Sequence, residues 1–124
     1  SAVVIGLIAG SVCYLAVQFR MKRGWDDALD VWGVHGVGGI VGSILVGVFA
    51  VKSIGGVDGL IAGNAHQFWV QLLAVAIVTV YTFVMTLLLL KFVNIFVPVR
   101  VSKDVEINGL DECIHKEHAY EMLN

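Results

Sequence analysis

The sequence predicts an all-α polytopic membrane protein, with three transmembrane helices followed by a polar tail. Two observations carry this expectation. Of the 124 residues, 58% are hydrophobic and 15% charged, against about 45–50% and 25% in ordinary soluble domains. The charges are also segregated: residues 1–19, 31–51 and 59–90 contain no Asp, Glu, Lys or Arg. A hydrocarbon core about 30 Å thick needs roughly 20 apolar residues in a helix rising 1.5 Å each. Helices are therefore expected over about residues 1–20, 29–50 and 66–97, giving a transmembrane segment 1–97 and a tail 98–124. A net charge of −2 excludes nucleic-acid binding through a basic surface. Two cysteines, Cys13 in an apolar run and Cys113 in the tail, make no disulfide framework.

The first run lacks a basic start and is followed by two more, so it reads as a membrane span and not as a signal peptide. Its abrupt apolar opening suggests a piece of a longer chain. Ala2, Gly6 and Gly10 recur every four residues, with Ala9, Cys13 and Ala16 on a neighbouring stripe. Small residues so spaced let membrane helices approach closely. Arg20, Lys22 and Arg23 follow this run, and Lys91, Arg100 and Lys103 flank the end of the third. Basic residues collect on the cytoplasmic side, so the 20–28 loop and the tail after Pro98 are expected inside and the 52–64 loop outside. Trp25, Trp32 and Trp69 lie near helix ends, as interfacial anchors do.

Asp26, Asp27 and Asp30 precede the second run, where carboxylates cap free amides and meet the positive end of the helix dipole. Glycines then stand at 33, 36, 38, 39, 42 and 47. Each costs about 0.8–1 kcal/mol of helix propensity relative to alanine. Close contact with neighbouring helices is the expected compensation. The third run opens near His66 after a glycine-rich loop. Thr79, Thr82 and Thr86 share one of its faces, with hydroxyls expected to bond to their own helix. Beyond Pro98 the tail carries six acids and three bases.

His35 is the ionisable side chain placed inside a span near mid-membrane, about 13 Å along the helix from Asp26. Ionisable residues at that depth usually face a bundle interior or a conduction path. A neutral imidazole donates from one ring nitrogen and accepts at the other, which suits transient bonding to a small polar solute. A buried histidine satisfied by a neighbouring hydroxyl would occupy the same position, and on position alone both readings stand.

The residues around it go further. The run Asp26-Asp27-Ala-Leu-Asp30-Val-Trp-Gly33-Val-His35-Gly36-Val-Gly38-Gly39-Ile-Val-Gly42 closely resembles the signature of the ammonium transporter family (Amt/Mep, with the Rh proteins as distant relatives). The tail pattern Glu106-x-x-Gly109-x-Asp111-x-x-x-His115-x-Glu117-x-Ala119-Tyr120 is similar to that family's cytoplasmic C-terminal motif, and Gly63-Asn-Ala-His66-Gln67 also fits. The uninterrupted Gly-Val-His-Gly-Val-Gly-Gly favours the Amt/Mep branch. This resemblance implies a homotrimer of eleven-helix subunits built on an inverted repeat, the present spans being helices nine, ten and eleven. It implies that His35 is the second histidine of a paired-histidine pore site and that Val31, one turn earlier, lines the pore. Asp30 becomes a structural acid at the helix start, read as an N-cap. The implied transport moves ammonia through a hydrophobic pore, for neutral ammonia is far cheaper to dehydrate than ammonium. The partner histidine, outer cation site and aromatic gate would belong to earlier helices, so this chain alone is expected to conduct nothing.

The same resemblance assigns the tail a regulatory role through Glu106, Gly109, Asp111, His115, Glu117 and Tyr120. It places a neighbouring subunit, and in prokaryotes PII-type signalling proteins, at the cytoplasmic face. Two departures stand out: Cys113 where plant relatives carry a phosphorylatable threonine, and Lys116 where a glycine is usual. Cys113, His115 and His118 crowd too few ligands into six residues for a metal site. No cofactor is implied, and no nucleophile triad, phosphate loop or paired carboxylates point to an enzyme. Alternatives to a transporter are an ammonium sensor of the same fold and a non-transporting structural membrane subunit.

Overall fold

The computed structural model describes residues 1–117. Its elements are helical: α1 (Ala2–Arg23), a π-helical turn (Trp32–Val37) running directly into α2 (Gly38–Phe49), the single turn α3 (Lys52–Gly55), the long α4 (Ala65–Phe96), α5 (Lys103–Asn108) and a second π-helical turn (Asp111–His115). Three helices, Ala2–Arg23, Trp32–Phe49 and Ala65–Phe96, are long and apolar enough to cross a membrane. The chain divides into two compact units, Ser1–Tyr81 and a second beginning at Thr82.

In the first unit, α1 closes on Gly24 at φ 64°. The Gly24 amide donates to Met21 O at 3.1 Å and the Trp25 amide to Arg20 O at 3.3 Å, the paired bonds of a Schellman ending. The helix thus runs three residues past the expected boundary at 20, with Arg20, Lys22 and Arg23 in its last turn where the dipole favours cations. An aromatic string covers this end: Phe19 and Trp25 meet edge-on at 5.6 Å, Trp25 and Trp32 at 5.5 Å, and the Arg23 guanidinium sits 5.1 Å from the Phe19 ring centre. The second span begins at Trp32, later than the expected 29, because Asp30 takes the left-handed backbone at φ 54° and interrupts the helical path.

Half of the second helix's glycines meet a neighbouring helix within this chain. A Cβ on Gly33 would lie 2.8 Å from Val17 Cγ2, one on Gly38 2.8 Å from Cys13 Sγ, and one on Gly47 3.0 Å from Gln71 Cβ. By contrast, Gly39 and Gly42 face open space, and Gly36 approaches only Trp32 of its own turn. The contact line on α1 runs through Cys13 and Val17, while Gly6 and Gly10 have nothing within 4 Å. The stripe Ala2–Gly6–Gly10 is therefore not the seam between α1 and α2.

The loop after α2 folds back on that helix. Amides of Gly59, Leu60 and Ile61 donate to the carbonyls of Ala50, Gly47 and Val48 at 2.8, 3.0 and 3.1 Å, filling acceptors that every helix C-terminus leaves open. Asp58 Oδ1 takes the Lys52 amide at 2.7 Å, and Asn64 Oδ1 takes the Gln67 amide at 3.0 Å to cap α4. Within α4, Thr79 Oγ1 donates to Val75 O at 2.7 Å, as its position in a span suggested. The 32 residues of α4 make about 48 Å of helix, so it must tilt or emerge from a 30 Å core.

Among the described residues only Gly33, Gly47 and Gly59 are buried, and no hydrophobic side chain is. Leu7, Leu73, Val80, Phe83 and Phe92 each expose 60% or more of their surface. Apolar area on this scale has to be covered by lipid or by further helices.

In the second unit, Asn94 Oδ1 accepts the Val99 amide at 3.0 Å and turns the chain around Pro98. Arg100 clasps Glu106 with two bonds, Nε to Oε1 at 2.5 Å and Nη2 to Oε2 at 3.0 Å. Gly109 stops α5 at φ 97°, a conformation that favours glycine.

Candidate functional site: a histidine in a π-helical turn

The start of the second span is assembled from two acids, Asp27 and Asp30, and one base, Arg20. Asp27 is the capping residue, its Oδ1 accepting the Val31 amide at 2.9 Å and its Oδ2 the Trp32 amide at 2.8 Å. The N-cap role expected of Asp30 therefore falls to Asp27. The left-handed turn at Asp30 leads its carboxylate to an ion pair with Arg20, whose guanidinium also donates to Trp25 O at 3.3 Å. Asp30 is thus tied to the end of α1, which the sequence pattern did not suggest because the pairing spans a loop.

Above this knot, Trp32–Val37 forms the π-helical turn, with hydrogen bonds closing over five residues instead of four. The reason lies in the seam with α1. Gly33 meets Val17, and Gly38, five residues on, meets Cys13. In a regular α-helix residues five apart differ by about 140° in direction, and only one of the two glycines could face α1. The wider turn brings both onto the same side. The Cys13 thiol donates to Val34 O at 3.7 Å and supports the turn from α1.

His35 lies two residues past Gly33 and three before Gly38, the glycines that meet α1, and is exposed. Val31, the residue just before the second span, is 49% exposed. Beyond them Gly36, Gly39 and Ser43 line a groove of about 370 Å³ shared with Gln71, Val75 and Thr79 of α4. Gln71 Nε2 donates to Ser43 O at 3.1 Å across its floor. The groove is mostly apolar and does not stand out in the sequence, since its walls come from two helices about 35 residues apart.

The tail positions form a separate local arrangement. Glu106 is held by Arg100, whose hydrogen bonds keep its carboxyl below the ordinary value of 4.5, desolvation opposing them and the guanidinium charge adding to them. Asp111 offers its backbone carbonyl to the Glu117 amide at 3.1 Å. His115 lies in the second π-helical turn, and Lys116 ends that turn in the left-handed region at φ 56°. Lys116 thus takes up the backbone shape that a glycine would adopt more cheaply. Tyr120 and His118 lie outside the described residues.

Comparison with known proteins identifies the family. A sequence profile of the Ammonium Transporter Family matches residues 1–120. The chain is 49% identical to ammonium transporter Amt1 of Archaeoglobus fulgidus over 119 residues, covering 96% of this chain and 30% of that protein. It is 41% identical to an ammonium transporter of Bacillus subtilis over 124 residues, covering 98% and 31%. With ammonium transporter MEP2 of Saccharomyces cerevisiae the identity is 34% over 132 residues, covering 98% and 26%. The chain belongs to the ammonium transporter family, and it spans between a quarter and a third of the length of these curated relatives.

Proposed function

We propose that this chain forms the last three membrane helices and the cytoplasmic tail of an Amt/Mep-type ammonium transporter subunit. In this reading α1, the second span and α4 are helices nine, ten and eleven, and His35 is one imidazole of a paired site in a hydrophobic pore. Val31 lines the same conduit one turn earlier. The single observation that carries the reading is the placement of His35. His35, the signature histidine of the resemblance, lies within an apolar span and is exposed, between the two glycines that meet α1. The chemistry follows from solvation. Ammonium would have to shed its hydration in an apolar conduit, whereas ammonia, having left its proton behind, crosses at far lower cost. A neutral imidazole can meet ammonia with one donor or one acceptor at a time. Potassium has no proton to leave.

Ammonium is then the cargo, and the outer cation site, second histidine and remaining pore wall come from other helices of the subunit. The exposed apolar surfaces of α1, α2 and α4 support a surrounding of lipid, further helices and neighbouring subunits of a homotrimer. The tail, with its Arg100–Glu106 clasp and Gly109 turn, serves as the regulatory segment on the cytoplasmic side, where a PII-type protein would dock. The test is His35→Leu in the complete transporter, reconstituted in liposomes. Altered ammonium flux or altered discrimination against potassium is expected, and wild-type flux with wild-type selectivity would refute the assignment. This chain reconstituted without the preceding helices is expected to pass no ammonium.

A further inference from the structure

We propose that the π-helical turn Trp32–Val37 is a positioning device for His35, and that Gly38 and Cys13 are the residues that hold it in register. The inference rests on the pore assignment of His35 and goes beyond it by naming what sets that ring's direction.

The argument starts from the matching of two helices. On α1, Cys13 and Val17 are four residues apart and share one face. On the second span, the residues that meet them are Gly38 and Gly33, five apart. Were this span to run as a regular α-helix from Gly33, the residue returning to α1 would be Val37, four positions on. A valine there would drive its branched side chain into the place where a single Cβ already falls 2.8 Å from Cys13 Sγ. The extra residue of the π-helical turn replaces Val37 by Gly38 at this contact. Each residue of helix turns the chain by about 100°, so the same change sets the direction of His35 and Val31 relative to Gly39 and Ser43 on the following helix. Sequestering the Val34 carbonyl with the Cys13 thiol at 3.7 Å favours the wide turn. At the other end the Asp30–Arg20 ion pair and the Asp27 cap fix where the turn begins. Such turns occur chiefly as single insertions in α-helices, frequently at functional sites.

Gly38→Ala in the complete transporter tests this, with the methylammonium-to-ammonium flux ratio per reconstituted molecule as readout. The expected change is about tenfold, the scale on which a sub-ångström to ångström displacement of a working group acts. Cys13→Ser combined with Gly38→Ala replaces the sulfur that the new methyl group meets with a smaller oxygen on a shorter bond, keeps a donor for Val34 O, and is expected to restore the ratio. Loss of folded protein alone would lower the number of molecules and leave the ratio per molecule unmoved. A wild-type ratio in folded Gly38→Ala, or a shifted ratio that Cys13→Ser does not restore, would overturn the proposal. If Gly38→Ala does not fold, the double variant decides: a wild-type ratio supports the register and a shifted one overturns it. His35→Ala separates the two layers. If it is silent the pore assignment fails, and if it alters the ratio while Gly38→Ala does not, only the register proposal fails.

Discussion

Gly59→Ala should detach the loop after α2 from the helix that carries His35. A Cβ at this position would stand 2.6 Å from Gly47 O, 2.9 Å from Ala50 N and 3.0 Å from Val48 O. All three are backbone atoms, so no side-chain rotation relieves the clash, and the loop must lift. Lifting it removes the bonds from Gly59, Leu60 and Ile61 to Ala50, Gly47 and Val48. At about 1 kcal/mol net for each of three bonds, the loss is about 3 kcal/mol. That corresponds to roughly a hundredfold rise in the local opening equilibrium, at 1.4 kcal/mol per factor of ten. Hydrogen–deuterium exchange on the complete transporter in detergent reads this directly, since the three amides report their own protection. Gly55→Ala, where nothing lies within 4 Å of the added methyl, should leave the same amides unchanged. If Gly59→Ala exchanges at the wild-type rate over 59–61, the loop does not close the helix end as described.

Further expectations follow from the helix start and the tail. Asp27→Ala removes the acceptor of two amides and should lower stability by about 1–2 kcal/mol, read as a reduced melting temperature. Asp27→Asn, which keeps one acceptor, should lose less. Glu106 titrates below its ordinary value because Arg100 holds it, so the clasp contributes above the unfolded value of 4.5 and is lost as pH falls from there through the depressed value. Exchange of the α5 amides should accordingly rise in that acid window, and Glu106→Gln should bring the same rise at neutral pH. Lys116→Gly relieves a left-handed lysine and should tighten the Asp111–Glu117 turn by about 1 kcal/mol. Slower exchange at the Glu117 amide would show it, and faster exchange would contradict it.

The features that name the class were local and therefore readable. Charge-free runs of sufficient length give membrane helices whatever their neighbours do, and Gly33 to Gly39 with His35 at the centre is contiguous in the chain. Even the strain at Lys116 was foreshadowed by a glycine expected there. What escaped reading depends on distance or on phase. The aspartate that caps could not be told from the one that pairs, because Asp30 finds Arg20 only once α1 has ended at Gly24. Gly59 looked like an ordinary loop glycine until the ends of α2 and the loop were seen to share hydrogen bonds.

By itself, then, the chain determined that it has three helices long and apolar enough to cross a membrane, that the second is rich in glycine, and that an imidazole sits within it, since each follows from residue chemistry along a short stretch. The tertiary structure decided which of those glycines touch another helix and that the imidazole is exposed. Counting at 3.6 residues per turn carries no notice of an inserted residue. Only α1, with Cys13 and Val17 four apart against Gly38 and Gly33 five apart, imposes it, and that comparison exists only when the two helices lie side by side.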